Sequence, residues 1–276
     1  MKKVFALALA VLMVLGMFAG CGVKDAGKAV LKVALSPDFA PMEFVDPSKT
    51  GQDQYVGFDV MLAKYIASEM GMELEIVPMS FDACQTAVSM GKVDMSISGF
   101  SWTEERAENY NMSDYYHAGD NETEQVLITL ASNGDKYATA ESLVGLKVGA
   151  QTASLQESLC GEQLPDCPLV PYSDITTGIL QLKKGDFAVM AVAVGNADAI
   201  IAANPDIALS GFVFEVDEKY TDNVILLQKG NAELTAKVNE ILATAKAAGL
   251  YEEWYAEALT IAGVDVSYDE EGNVAE

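Results

Sequence analysis

Histidine is nearly absent from this chain: His117 stands alone among 276 residues. One imidazole cannot furnish a multi-histidine metal site or a relay between two imidazoles. Cysteine is sparse as well, at positions 21, 84, 160 and 167 with no Cys-x-x-Cys spacing, so neither a zinc ribbon nor a thioredoxin-type pair is encoded. No metal and no cofactor are expected. Basic residues are outnumbered, 17 Lys and Arg against 41 Asp and Glu, for a formal net charge of -24. A surface of that sign repels phosphate backbones and anionic headgroups, which argues against nucleic acid as a partner. No apolar run attains the roughly 20 residues that span a bilayer. What is abundant is core: 50% of the residues are hydrophobic and 21% charged, enough to bury a sizeable interior.

Met1-Lys2-Lys3 precede an apolar run over 4–18 that closes on Ala19-Gly20-Cys21. Positive start, apolar middle and small residues before a cleavage point are the pattern of an export signal. The end of the run resembles the bacterial lipobox, with Phe18 in place of the usual leucine. That resemblance implies a signal peptide over 1–20, a lipid-modified N-terminal Cys21, and a tether over 21–28 holding the protein to the membrane. Stable attachment then rests on acyl chains, because a single chain anchors only marginally.

Beyond the tether, strand-like and helix-like segments alternate. Residues 31–35 read as a buried strand, and 59–70 as a helix with Met61, Leu62, Tyr65, Ile66 and Met70 on one face and Gly71 as its stop. Strands at 74–77 and 93–98 flank a helix from Ser80 to Met90. A second series has strands at 125–130, 146–150, 169–171 and 187–194, with helices at 154–160, 173–184 and 196–203. The last helix predicted runs from cap Asn231 through Leu234, Val238, Ile241, Leu242 and Ala245 to Gly249. Alternation of this kind points to α/β lobes with largely parallel sheets, and two such series point to two lobes. The acidic end, 269–276, is expected to fray.

The strings LKVALSPDFAPMEF at 31–44, VGFD at 56–59, GKVD at 91–94 and SGFSWTEER at 98–106 occur in that order. MSDYY at 112–116, LKVG at 146–149, KGNAEL at 229–234 and Gly249-Leu250-Tyr251 follow. Together they resemble the extracellular solute-binding proteins of polar amino-acid ABC importers, family 3, over nearly all of residues 31–258. The resemblance implies a two-lobe periplasmic-binding-protein-like (type II) α/β fold with a two-segment hinge. Lobe 1 is then 29–124 plus 222–276, and lobe 2 is 125–221.

Where strand meets helix at 98–103, backbone N–H groups can face an anion, and Arg106 follows within a turn. A guanidinium grips a carboxylate through two parallel hydrogen bonds, which lysine cannot do. From the residues alone, pairing of Arg106 with Glu104, Glu105 or Asp114 on a solvated face stands as an equal reading. The resemblance makes Arg106 the carboxylate anchor, with Ser101 contributing hydroxyl or N–H and Gly99 its backbone. It also places Phe39 and Phe81 as aromatic walls and Ser36 as a secondary contact; for both rings, ordinary core packing is the alternative. In lobe 2, the stretch at 148–157 resembles the family's Gly-Thr-Thr loop, with Ala153 in place of the glycine and Ser154 as donor, and Thr152 before them is a further ligand-binding candidate. At Ala193 the family carries an aspartate for the ligand's ammonium, so another acid or amide must serve or the ligand lacks that group. Asn196 and Asp198 lie nearby in sequence. Trp102 is expected to pack inward, and Cys84 to be a small buried hydrophobe. Cys160 and Cys167 flank a turn, and an exported protein permits a disulfide there.

Two functions stand on this reading. One is a receptor, expected to be monomeric, that closes around a small carboxylate-bearing solute and presents it to an ABC importer permease at the outer face of the cell membrane or in the periplasm. The other is an enzyme on the same scaffold, a dehydratase. No nucleophile, base and orienting group are identifiable, so binding without catalysis is expected. An orphan ligand sensor is a third reading, set behind the others on the expectation that no transmembrane or signalling segment follows Glu276.

Overall fold

The computed structural model describes residues 28–117, 124–220 and 222–264. The signal peptide, Cys21, all of the tether but Lys28, and the acidic end therefore lie outside the described residues.

In chain order the first half contains β1 (Val30–Leu35), β2 (Asp38–Phe39), β3 (Glu43–Val45), β4 (Tyr55–Val56), α1 (Phe58–Glu69) and β5 (Glu73–Pro78). It continues with α2 (Phe81–Ser89), β6 (Met95–Ser101), α3 (Glu104–Asn109) and β7 (Tyr110–Met112). Next come β8 (Gln125–Leu130), α4 (Ala140–Leu143), β9 (Val148–Gln151), α5 (Leu155–Gln163), β10 (Leu169–Tyr172) and α6 (Ile175–Lys184). The chain closes through β11 (Val189–Ala193), α7 (Val194–Ala203), β12 (Ile207–Val213), β13 (Asn223–Gln228), α8 (Ala232–Ala247) and α9 (Leu250–Ala262).

Two five-stranded sheets result, ordered β5-β1-β6-β13-β7 and β10-β9-β11-β8-β12. Four strands of each run in one direction: β5, β1, β6 and β7 in the first, and β10, β9, β11 and β12 in the second. The reversed strands are β13, antiparallel to β6 and β7, and β8, antiparallel to β11 and β12. These are the strands on which the chain enters one sheet after leaving the other. The crossings run side by side: Tyr116 bridges Asn223, and the Phe214 N–H donates to the Gln125 carbonyl at 2.8 Å. The small sheet β2-β3-β4 lies beside the first large sheet.

Each large sheet is covered on both faces. In the first, Leu31, Val33, Met95, Ile97 and Ile225 pack with α1, α8 and α9, while Ala34, Phe100, Val224 and Leu226 pack with α2. In the second, Leu127, Val148, Val189 and Ala191 face α5, while Ile128, Met190 and Val192 face α6 and α7. Apolar residues on both faces are what near-continuous apolar strands require.

Helix 231–249 is not the last one. Gly249, at φ 70, turns the chain into α9, whose Tyr251, Tyr255, Ala258 and Leu259 are buried at helical spacing. Tyr251, Trp254 and Tyr255 lie against the Phe58 ring of α1, and His117 joins the same aromatic group. The sole histidine is thus a packing residue near the hinge.

Candidate functional site

The sites of interest sit where strand ends meet helix starts between the two sheets. At the end of β6, Gly99 adopts φ +55, and a Cβ there would lie 2.8 Å from Cε1 of Phe39. Only glycine combines that backbone with so close an aromatic neighbour. Two residues beyond β6, Thr103 caps α3 by accepting the Arg106 N–H at 3.2 Å.

This cap turns the Arg106 side chain inward, where the residue is 5% exposed. Nη1 donates to the Ser101 carbonyl at 2.6 Å, Nη2 to the Ala153 carbonyl at 2.8 Å, and Nε to Gln85 Oε1 at 3.4 Å. The guanidinium carbon lies 5.6 Å from the Phe81 ring centre and 5.3 Å from that of Phe100. Burial pulls its pKa down to about 10, so it stays a cation at neutral pH. Among the described residues it forms no salt bridge; the solvated pairing with Glu104, Glu105 or Asp114 is not made.

Beside it lies a cavity of about 30 Å³ between the lobes, room for little more than water. Ser36, Phe39, Phe81, Gly99, Ser101, Arg106 and Ser154 all line it. Thr152 does not; its N–H and hydroxyl are both spent on the Tyr172 carbonyl, at 2.9 and 3.2 Å. It lines instead a wider outer mouth of about 560 Å³, which shares Arg106, Ser154 and Leu155 with the inner cavity. Sequence reasoning missed Asp38, Glu43, Ser98, Gln151, Leu155 and Gln156. Asp38 and Glu43 lie in the same stretch as Phe39, but nothing local signals that their carboxyls turn toward the cleft.

On the second lobe, Ala153 holds the left-handed conformation, φ 62, that its glycine-like position demands. Its N–H donates to Glu157 Oε2 at 2.7 Å, and Ser154 Oγ caps α5 by accepting the Glu157 N–H at 3.1 Å. The loop is therefore held in place despite the side chain. Ala193 ends β11, 2% exposed and opposite Gln125, with no acid at that position. Asn196 reaches across to donate to the Ala40 carbonyl at 2.9 Å.

The first lobe contributes three acids. Ser98 Oγ donates to Glu43 Oε1 at 2.5 Å and accepts the Ser36 N–H at 3.0 Å. Asp59 Oδ2 accepts the Gly99 N–H at 2.8 Å and the Tyr116 hydroxyl at 3.0 Å. Glu43 and Asp59 are hydrogen-bonded to each other, with Glu43 as donor. Burial, then the Asp59 charge, drives Glu43 well above the usual carboxylate range; burial pushes Asp59 up to about 6. The upward shift is the larger on Glu43, so of the two it is the one that holds the shared proton, which accounts for Glu43 Oε2 and Asp59 Oδ1, the two oxygens that would otherwise lack a donor. The half-buried Asp38 accepts from Ser36 Oγ at 2.7 Å and from the Ile175 N–H at the start of α6. Burial pushes it to about 6, and Asp174 nearby also opposes its charge.

The bridge expected between Cys160 and Cys167 is not formed: both are free thiols, and Cys167 Sγ donates to the Leu143 carbonyl at 3.2 Å. Cys160 is instead buried against Leu155 and Leu159, which pushes its thiol up to about 12. Cys84 is a fully buried packing residue. Among the described residues no group of three or more His, Cys, Asp or Glu could hold a metal ion, and no helix is long and apolar enough to cross a membrane.

Residues 31–260 match the family profile described as bacterial extracellular solute-binding proteins, family 3. The probable histidine-binding protein of Campylobacter jejuni is 28% identical, covering 72% of this chain and 77% of its own. The arginine-binding extracellular protein ArtP of Bacillus subtilis is 29% identical, covering 79% of this chain and 81% of its own. Among solved structures, the amino acid ABC transporter substrate-binding protein AbpA of Streptococcus pneumoniae, bound to L-arginine, superposes with a TM-score of 0.77. It is 32% identical, covering 85% of this chain and 96% of its own.

Proposed function

Because the chain belongs to the bacterial extracellular solute-binding proteins of family 3, we infer that it is the receptor of an ABC importer and closes two lobes around an amino acid. The observation that carries this reading is a buried, unpaired Arg106 between the lobes, in a chain whose relatives are arginine- and histidine-binding proteins. Its two guanidinium nitrogens now donate to neutral carbonyls on opposite lobes. A ligand carboxylate competes for the same donors with charge-assisted bonds about twice as strong. The inner cavity is smaller than any amino acid, so capture requires the lobes to stand farther apart and then close about the paired crossing strands.

Lobe limits at 29–124 with 222–276 and at 125–221 are supported by sheet membership, since all strands of the second large sheet fall between 125 and 213. Arg106, Ser101, Gly99, Phe39, Phe81, Ser36 and Ser154 form the ligand wall in this reading, and Thr152 lies at its mouth. The receptor acts as a monomer, delivers its solute to the permease, performs no chemistry on it, and is held at the membrane by lipidated Cys21. An unmodified Cys21 at the mature N-terminus, read by mass spectrometry, would sink the anchoring part. Calorimetry with the twenty standard L-amino acids tests the rest: at least one should bind at micromolar level or tighter. Binding of none, or unchanged binding in Arg106→Ala, overturns the reading.

A further inference from the structure

The charges on the cavity wall are few and one-sided. Among the described residues that line the cavity, Arg106 is the only basic one, and Asp38 and Glu43 are the only acids, both from the first lobe. The second lobe contributes Gln151, Ser154, Leu155 and Gln156, all neutral. Glu43 is fully buried and already engaged by Ser98 and Asp59, so it has no capacity left for a newcomer. Asp38 differs. Its carboxylate accepts one hydrogen bond on each oxygen, from Ser36 and from the Ile175 N–H, and each oxygen retains a further acceptor site. Asp174, close enough to disfavour its charge, is occupied as the cap of α6, accepting from the Thr177 N–H at 2.8 Å. Among the described residues neither acid has a salt-bridge partner, so a cation placed beside Asp38 is attracted by both.

We propose that Asp38 is the carboxylate that meets the α-ammonium of the bound amino acid, opposite Arg106, so that both charges of a zwitterion are read from the first lobe. This rests on the receptor reading above. The acid that β11 lacks at Ala193 is then supplied by the loop after β1, beside the aromatic wall Phe39. With its carboxyl pushed only to about 6, Asp38 is ionised at neutral pH and able to act in this way. Gln151 and Gln156 complete the second-lobe wall as neutral hydrogen-bonding groups, without adding a charge that would need its own partner.

The test compares the tightest-binding L-amino acid of the twenty with its 2-hydroxy analogue, which keeps carboxylate and side chain but has no amine. Wild type should prefer the amino acid by at least thirtyfold. Asp38→Asn keeps the shape and its acceptor oxygen for Ile175, and should collapse that preference below about threefold, mainly by weakening the amino acid. If Asp38→Asn leaves the preference intact, or lowers both ligands equally or beyond detection, Asp38 serves lobe closure and the proposal is overturned while the receptor reading stands. If wild type binds none of the twenty, the receptor reading fails, and this proposal with it.

Discussion

Arg106 Nη2 donates to the carbonyl of Ala153 at 2.8 Å, joining the helix start after β6 to the loop before α5 across the cleft. Arg106 lines the inner cavity and the outer mouth alike, and the Gln85 amide donates to the same Ala153 carbonyl at 3.3 Å, so two hydrogen bonds cross the cleft there. The Arg106 bond places a desolvated cation opposite a residue held at positive φ, and both features carry a cost that stability alone does not explain.

Replacing the cation should therefore separate function from stability. Arg106→Met removes a buried charge without a counter-ion while roughly keeping length. It is expected to abolish amino-acid binding, a loss of at least a hundredfold, and to raise the melting temperature of the unliganded protein. Arg106→Lys keeps charge but not the two-pronged geometry, and should lose at least tenfold in affinity. Calorimetry and thermal melts measure the two effects. A Met variant that melts well below wild type would show that the guanidinium bonds to Ser101 and Ala153 hold the fold together.

Ala153→Gly should stabilise. A left-handed alanine costs about 1–2 kcal/mol, and glycine returns about 0.5–1 kcal/mol of that through the unfolded chain. The net gain is about 0.5–1 kcal/mol, visible as a rise of about 2 °C in the melting temperature. An unchanged or lower melting temperature would contradict the strain.

Gly99→Ala should act in the opposite direction. It forces φ +55 on a residue with a Cβ and drives that atom toward the Phe39 ring. The expected cost is about 2 kcal/mol from strain and overpacking together. Displacement of the ring should also weaken ligand binding. Chemical denaturation and calorimetry on the same variant read both.

The buried acid pair sets a pH dependence. Asp59 is pushed up to about 6 and Glu43 well above its usual range, so the folded state holds protons more tightly than the unfolded chain. Stability from this pair is complete below about pH 4, the ordinary carboxylate range, and declines as pH rises through about 6. Glu43→Gln retains a donor for Asp59 and an acceptor for Ser98. It should flatten the decline and leave the protein at least as stable as wild type at pH 8. Denaturation midpoints between pH 4 and 8 measure this; a steeper decline in the variant would refute the shared proton.

Much of the architecture is legible in local pattern. The apolar run at 125–130 is β8 to the residue, and the amphipathic stretch at 59–70 is α1 within one residue at each end, because element type follows side-chain periodicity. The strings at 31–44 and 98–106 likewise locate the loops that meet in the cleft. Helix α9 is absent from the sequence reading, which stops at Gly249; its buried face is Tyr251, Tyr255, Ala258 and Leu259, and both tyrosines pack on Phe58.

What the sequence by itself determined is the type and place of the strands and helices with a clear apolar pattern, such as β8, α1 and α8, together with the family and the stretches that carry it. Only the tertiary structure decided the rest. That β8 and β13 run against their sheets follows from where the chain crosses between lobes, not from either strand's residues. Cys160 and Cys167, close in sequence, remain free because burial and the Leu143 carbonyl claim them separately. Asp38 and Ile175, 137 positions apart, share a hydrogen bond that no local pattern encodes. Protonation of Glu43 and the cost of Arg106 likewise come from desolvation, a property of everything that surrounds a group in space and so invisible until the whole chain has folded around it.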